Sequence, residues 1–132
     1  MSPSPAPPEA RPLTPVELEL MQHLWRLGEA SVADVQAALP PERPLAYTSV
    51  STVLRILEQK GVVRSRKVGR GHLYSAQLPR EAYEARTVRH LVDTLFEGEP
   101  GALVARLVEA VPLGPEDVER LRRLLAAKGG RG

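Results

Sequence analysis

The residues from Ala46 to Gly61 show the clearest helical pattern in the chain, and they read Ala-Tyr-Thr-Ser-Val-Ser-Thr-Val-Leu-Arg-Ile-Leu-Glu-Gln-Lys-Gly. As a helix, it places aliphatic side chains on one face at the i, i+3, i+4, i+7 spacing typical of a buried stripe. These residues are Val50, Val53, Leu54 and Leu57. The opposite face carries Thr48, Thr52, Arg55 and Gln59, with Ser49 and Ser51 on its flanks. Because hydroxyls, amides and guanidinium groups can hydrogen-bond to base edges or phosphates, this face fits a DNA major groove.

The alternative for this face is a polar surface that water alone covers. Solvated helix faces usually mix Glu with Lys in i, i+4 pairs. Here no carboxylate occurs before Glu58, near the end of the stretch. The residue types therefore favour a face that binds a partner.

The residues after Gly61 change from a helical to a strand-like pattern. Two segments, 62–68 and 72–78, flank the turn Gly69-Arg70-Gly71 and predict a β-hairpin. No acidic residue occurs between Glu58 and Glu81. That interval does contain Lys60, Arg64, Arg66, Lys67, Arg70 and Arg80. A basic hairpin directly after a helix–turn–helix indicates a wing that binds phosphates or the minor groove, and a hairpin without a partner is the alternative.

Two helices are predicted before the Ala46–Gly61 stretch. Thr14 and Ser31 each begin a capping box, completed three residues later by Glu17 and Asp34. The first helix ends at Gly28, and the second ends before a proline-rich loop. The second and third helices form a helix–turn–helix pair.

The rest of the chain predicts three further amphipathic helices, over 80–97, over 102–111 and from 115 to about 128. Three short helices cannot bury their apolar stripes by themselves, so we expect them to pair with a second copy of the chain. The predicted dimerisation residues are Val88, Leu91, Val92, Leu95, Leu103, Leu107, Val108, Leu121 and Leu125. The alternative is that the stripes form a core within one chain.

These patterns give a domain organisation and a fold class. We predict a Pro-rich disordered tail over 1–12, a winged-helix DNA-binding domain over 13–78, a helical dimerisation region over 79–128 and a frayed tail over 129–132. The fold class is mainly α with a small β-hairpin wing, a winged helix–turn–helix followed by a helical dimerisation region.

Composition narrows the class of protein further. The 132 residues are 42% hydrophobic but only 4% aromatic, and the net charge of +2 conceals the basic hairpin. The chain has no Cys, which excludes disulfides and thiolate metal sites. No apolar run approaches the ~20 residues that a membrane span needs, and the N-terminus lacks the apolar core of a signal peptide. We therefore expect a cytoplasmic protein with no stable membrane association.

Nothing in the sequence indicates catalysis or a cofactor. Trp25 and Met21 could line a ligand pocket, but their placement on an apolar helix face favours core packing. His23 and His90 lack companion ligands at metal-binding spacing, so no metal site is predicted. There is no Gly-rich phosphate loop and no nucleophile–base pair.

Three segments together resemble the penicillinase-repressor family, the BlaI/MecI/CopY type of transcriptional repressor. They are Leu13-Thr-Pro-Val-Glu-Leu-Glu-Leu-Met-Gln-His-Leu-Trp25, the stretch Leu45–Gly61, and the hairpin through Tyr74. The similarity covers roughly Leu13 to Lys128. Other winged helices share the pattern but lack the Met-x-x-Leu-Trp ending and the Ala-Tyr-Thr-x-Val-x-Thr run.

The resemblance implies a dimer whose winged-helix heads bind a palindromic operator and block transcription, with a recognition helix over 47–60. Such repressors are often released by a membrane-embedded metalloprotease sensor pathway that leads to cleavage at an Asn-Phe pair. That pair would fall at Arg106-Leu107, which do not match it. Copper sensing through C-terminal cysteines is excluded because the chain has none.

The predicted partners are double-stranded DNA and a second copy of the chain. The residues predicted to contact DNA are Tyr47, Thr48, Ser49, Ser51, Thr52, Arg55, Arg64, Arg66, Lys67 and Arg70. A winged-helix adaptor that binds proteins instead of DNA is the alternative from another class. An activator or an architectural DNA-binding protein would show the same sequence features as a repressor.

Overall fold

The computed structural model describes residues 12–129 and divides after Thr87 into two compact units. The described part contains α1 Pro15–Leu27, β1 Glu29–Ala30, α2 Val32–Ala38, α3 Tyr47–Gln59, β2 Val63–Val68, β3 Gly71–Ala76, α4 Arg80–Thr94, α5 Pro100–Ala110 and α6 Pro115–Gly129. This order confirms a mainly α fold with a small β-hairpin. The predictions for 1–11 and 130–132 lie outside the described residues, and α6 includes Gly129.

Both predicted capping boxes are confirmed. At the start of α1, the Glu17 amide donates to Thr14 Oγ1 at 3.2 Å, and the Thr14 amide donates to Glu17 Oε1 at 2.9 Å. At the start of α2, the Asp34 amide donates to Ser31 Oγ at 3.1 Å, with the reciprocal bond at 3.0 Å. Each box satisfies two backbone amides that a helix N-terminus leaves without an intrahelical partner.

The core of the first unit, called the head below, lies between α1, α2, α3 and the sheet. Its fully buried large side chains are Leu20, Met21, Leu24, Val35, Val50, Leu54, Leu57 and Val62. The predicted inner face of α3 is therefore confirmed, with Val53 half-buried at its margin. Each fully buried Leu contributes roughly 1.5–3 kcal/mol relative to an exposed one, so this face fixes the orientation of α3.

The sheet has three antiparallel strands in the order β1-β3-β2, one more than the predicted hairpin. In β1, Glu29 pairs with Ser75 and Ala30 pairs with Tyr74. A strand of two residues has too little periodicity for a sequence pattern to reveal it. Gly71 is also the first residue of β3 rather than part of the turn, because Gly69 at φ +60° allows a turn of two residues.

The first turns of α4 are anchored to the head by aromatic side chains. Trp25 Nε1 donates to the Leu78 carbonyl at 2.9 Å, and the Arg80 guanidinium lies 4.9 Å from the centre of the Trp25 ring. The Tyr83 hydroxyl accepts the Leu13 amide at 3.1 Å. Trp25 and the fully buried Met21 thus contribute to packing, as predicted.

The second unit contains the end of α4 with α5 and α6. The predicted helix over 80–97 was too long, since α4 ends at Thr94 and Glu97 and Gly98 take φ values of +54° and +80°. The predicted helix over 102–111 began too late. Pro100 starts α5 instead of interrupting it, because a proline at the first helical position has no amide that the helix requires.

Candidate nucleic-acid interface

The polar face of α3 is open to solvent along its whole length. Thr48, Ser49, Thr52, Arg55 and Gln59 are all exposed, while Ser51 on the flank is half-buried. The Tyr47 side chain at the start of the helix is 53% exposed. The residues that the sequence assigned to this face therefore form a surface of hydroxyl, amide and guanidinium groups, beside which Ile56 is 37% exposed.

The start of α3 differs from the starts of α1 and α2. Its N-cap residue is Ala46, and no side chain caps its first amides. A helix N-terminus with uncapped amides carries partial positive charge and can bind an anion. Tyr47 and Thr48 lie at this end, so both the backbone and the side chains present donors there.

The far end of α3 is fixed by an ion pair to α1. Lys60 Nζ lies 2.7 Å from Glu17 Oε1 and 2.8 Å from Oε2, and the Glu17 side chain is only 8% exposed. Burial by itself raises the pKa of the Glu17 carboxyl, but hydrogen bonds from Lys60 and from the Thr14 backbone, with the charge of Lys60, hold this pKa below its ordinary value. The carboxylate therefore stays ionised and connects the capping box of α1 to the C-terminal end of α3.

The strand register divides the basic residues of the wing between two faces of the sheet. Opposed residues share a face, so Arg64, opposite Ser75, and Arg66, opposite Leu73, lie on one side. Lys67, opposite His72, lies on the other side, which also carries the buried Tyr74. This second side faces α3. Arg70 lies in the exposed turn.

The wing also contacts α3 directly. The Ser65 hydroxyl donates to Glu58 Oε2 at 2.7 Å. Ser65 lies on the same sheet face as Lys67, because the two residues are separated by one strand position. The carboxylate of Glu58 is therefore bound to the hairpin, and the exposed face of α3 that precedes it has no acidic side chain.

Arg66 has an acidic partner that the sequence analysis missed. Its Nε donates to Glu29 Oε2 at 2.7 Å and its Nη2 donates to Glu29 Oε1 at 2.9 Å. The hydrogen bonds from Arg66 lower the pKa of the Glu29 carboxyl, and they raise the pKa of the Arg66 guanidinium. The hairpin sequence contains no acid, but β1 adds one across the sheet.

The residues predicted for dimerisation are mostly exposed in the second unit. Leu95 and Leu125 are 66% and 60% exposed, whereas Val92, Leu103 and Leu121 are half-buried. Further exposed aliphatic side chains, which the prediction did not include, are Val104, Val111, Val118 and Leu124. An apolar cleft between α5 and α6 is lined mainly by Val104, Val108, Val118, Leu121 and Leu125.

No group of three or more potential metal ligands occurs within residues 12–129. His23 Nδ1 lies 2.8 Å from Arg26 Nη2, and His90 is exposed on α4. No helix in the same residues is long and apolar enough to cross a membrane.

A family model and a named relative agree on one family. The model of the penicillinase repressor family matches residues 13–127. The transcriptional regulator BlaI of Mycobacterium tuberculosis is 37% identical over 114 residues, which cover 84% of this chain and 80% of BlaI. An uncharacterized 16.5 kDa protein of Latilactobacillus sakei, from the 3′ region of ptsI, is 32% identical over 117 residues, with 88% and 80% coverage.

One solved structure is similar over nearly the whole chain. The complex structure of hsRosR-S4 aligns with 96% of this chain and 98% of its own, with a TM-score of 0.53. The sequence identity is 18%, so this likeness concerns the fold alone.

Proposed function

The chain belongs to the penicillinase repressor family, whose members are transcription regulators and not enzymes, and from this premise we propose that it is a homodimeric repressor of a palindromic operator. In this proposal α3 enters the major groove and the wing binds the flanking backbone. The observation that carries the proposal is the exposed face of α3, which has hydroxyl, amide and guanidinium groups and no carboxylate before Glu58.

The proposed contacts on α3 divide by chemistry. The Thr48, Ser49 and Thr52 side chains can hydrogen-bond to bases or phosphates, and Arg55 can donate two hydrogen bonds to guanine. The uncapped amides behind Ala46 fit a phosphate oxygen. Tyr47 and Ser51 lie at the margin of this surface.

The proposed contacts of the wing are at its turn and on its α3 side. Lys67 and Arg70 are exposed cations there, and a phosphate contact by each would supply affinity and salt dependence without sequence choice. Arg64 and Arg66 project from the opposite face of the sheet.

Dimerisation supplies the two-fold symmetry that a palindrome requires. The exposed aliphatic residues of α4, α5 and α6 support this part of the proposal, since such a surface is more stable when a second copy covers it. Two heads on one DNA face would then bind half-sites about 34 Å apart, or a multiple of that distance.

Release by a membrane-embedded metalloprotease sensor pathway stays a prediction of the family resemblance. The Arg106-Leu107 peptide bond lies inside α5, where Arg106 forms an ion pair with Glu109 at 2.7 Å. We propose no cleavage at that bond. A repressor of this kind acts where the chromosome is, which is consistent with the expected cytoplasmic location.

The experiment that tests this function is selection of bound fragments from the source genome, followed by footprinting of the enriched fragments. The proposal expects a shared palindrome, with protection of two half-sites on one face of the duplex. Enrichment of no motif, together with no binding to duplex DNA at low salt, would instead favour the protein-interaction adaptor. Transcription assays with the selected promoter then separate a repressor from an activator.

A further inference from the structure

We propose that Glu29 competes with DNA phosphate for Arg66 and thereby limits the affinity of the wing for DNA of any sequence. The inference rests on the proposed function, since it concerns the same DNA-binding surface. It assigns a role to a residue of β1, a strand that precedes the hairpin in the sequence and pairs with β3 in the sheet.

The geometry of the pair makes Glu29 a substitute for phosphate. A guanidinium donates in the same two-pronged manner to carboxylates and to phosphates. Glu29 accepts from both Nε and Nη2 of Arg66, at 2.7 and 2.9 Å. The two N–H groups that face Glu29 cannot donate to a phosphate until the pair opens, and the carboxylate also offsets the positive charge of Arg66.

The pair lies in the wing, on the face of the sheet opposite to α3. Arg66 is two residues before Val68, where the hairpin turn begins, and its neighbour Lys67 is one of the proposed phosphate contacts. The long Arg66 side chain can change direction once its partner is removed. Arg66 is therefore a potential phosphate contact whose two-pronged donor edge is occupied by Glu29 in the free protein.

The exposure of the pair makes an exchange of partners feasible. The Arg66 side chain is 63% exposed and the Glu29 side chain is 39% exposed. Solvent-exposed ion pairs contribute little to folding stability and are weakened by salt. Opening the pair thus costs little stability but reduces the gain from a new phosphate contact.

A smaller contribution of phosphate contacts to DNA affinity favours discrimination between sequences. Phosphate contacts strengthen binding to all DNA alike, whereas base contacts separate the operator from other sequences. When Glu29 holds Arg66, the affinity of the wing for DNA of any sequence is lower, and the base contacts of α3 are unchanged. The ratio between operator and random-sequence affinity is then higher.

The experiment measures binding of the full chain to a random-sequence duplex as a function of KCl concentration. Glu29→Gln removes the charge, and Glu29→Ala also removes the acceptor oxygen. We expect both variants to bind more tightly and to steepen the slope of log affinity against log salt by about 0.9 for each released guanidinium, or about two for a dimer. The ratio of operator to random-sequence affinity should fall.

Two further variants separate release of Arg66 from simple loss of a negative charge. The double variant Glu29→Gln with Arg66→Ala should return to the slope of the wild type. Glu109→Gln removes an equal charge from another exposed ion pair, on α5, and should leave the slope unchanged.

The proposal is overturned if Glu29→Gln and Glu29→Ala keep the slope of the wild type, or bind more weakly. A steep slope that persists in the double variant also overturns it, because long-range repulsion would then be the cause. If the wild type itself binds no duplex at low salt, the proposed function fails, and this outcome is distinct from a wild type that binds with a slope insensitive to Glu29.

Discussion

Two exposed surfaces of this chain differ in their chemistry. The outer face of α3 carries hydroxyl, amide and guanidinium groups, while the helices after Thr87 expose Leu and Val side chains. Water solvates the first surface at little cost. For the second surface, each Å² of apolar area left in water costs roughly 25 cal/mol of free energy relative to a buried one. The head therefore covers its large apolar side chains with residues of its own chain, whereas the second unit leaves many of them exposed.

The same residue type illustrates this contrast. Leu54 of α3 is fully buried among residues of its own chain, whereas Leu125 of α6 is 60% exposed. Both belong to apolar stripes with helical spacing. Sequence periodicity reveals that a stripe exists, but it does not say whether the same chain or a second copy covers it.

The largest expected effect comes from charging the apolar surface. Leu125→Arg should prevent the proposed dimerisation, because a guanidinium buried in an apolar interface has no partner. Loss of the linked second head should weaken operator binding by roughly 10²- to 10⁴-fold. Sedimentation velocity and operator titrations measure the two consequences.

The matched control for this variant is Ala127→Arg, which adds the same charge to an exposed position on the opposite side of α6. It should remain dimeric and bind the operator normally. A dimeric Leu125→Arg protein would remove Leu125 from the interface and break the contrast between the two units.

A somewhat smaller effect is expected inside the head. Leu54→Ala should lower the free energy of unfolding by about 2–5 kcal/mol, because it leaves a cavity under α3. Leu27→Ala, at a Leu that is 39% exposed at the end of α1, should cost less. Chemical denaturation compares the two, and equal changes in the free energy of unfolding would contradict the assigned core.

Next in size is the removal of a cation from the polar surface. Arg55→Ala should weaken operator binding by about 1–3 kcal/mol if Arg55 donates two hydrogen bonds to guanine. Binding to random-sequence DNA, titrated in parallel, should weaken much less. An equal weakening on both duplexes would make Arg55 a phosphate contact and would move sequence recognition to the Thr and Ser hydroxyls.

The junction between α1 and α3 should make the head sensitive to acid. Because the folded pKa of Glu17 lies below the ordinary value of 4.5, its ion pair stabilises the head at neutral pH, and this stabilisation is lost as the pH falls through the folded pKa. Glu17→Gln should therefore lower the urea midpoint at pH 7, and the gap to the wild type should narrow on acidification.

The control for the acid effect is Glu19→Gln, which removes an equal charge from α1 at the Arg43 ion pair. Its urea midpoint at pH 7 should change less than that of Glu17→Gln. A gap between the wild type and Glu17→Gln that stays constant with pH would show that Glu17 acts through packing and not through its charge.

The smallest expected effect concerns the wing. Lys67→Ala should flatten the salt dependence of binding by about one unit of slope for each phosphate that Lys67 no longer neutralises. Lys128→Ala removes an equal charge from the last turn of α6 and should leave the slope unchanged. Identical slopes for wild type and Lys67→Ala would exclude Lys67 from the DNA-binding surface.

The sequence predicted the head well because its signals are local. Both capping boxes, the buried stripe of α3 and the hairpin depend on residues within a few positions of one another. The bounds in the second unit were less accurate, since Pro100 marks the start of α5 instead of a break. The proline and two glycines in this segment were compatible both with a break in a helix and with the start of a new one.

The sequence could not predict the partner of Arg66 because that ion pair is not local. Glu29 precedes Arg66 by 37 positions and belongs to a strand of two residues. Counting charges along the hairpin therefore described a wing of one sign, although the folded sheet pairs one of its cations. A basic residue in a sheet can be assigned to a DNA contact only after its neighbours on the adjacent strands are known.

The proposed function requires that two copies of this chain present two α3 helices to one duplex. Sedimentation equilibrium of the full chain, alone and with a selected operator duplex, measures this stoichiometry. We predict a dimer in solution and a complex of two chains with one duplex. A monomer at micromolar concentration that leaves the duplex unbound at low salt would contradict it.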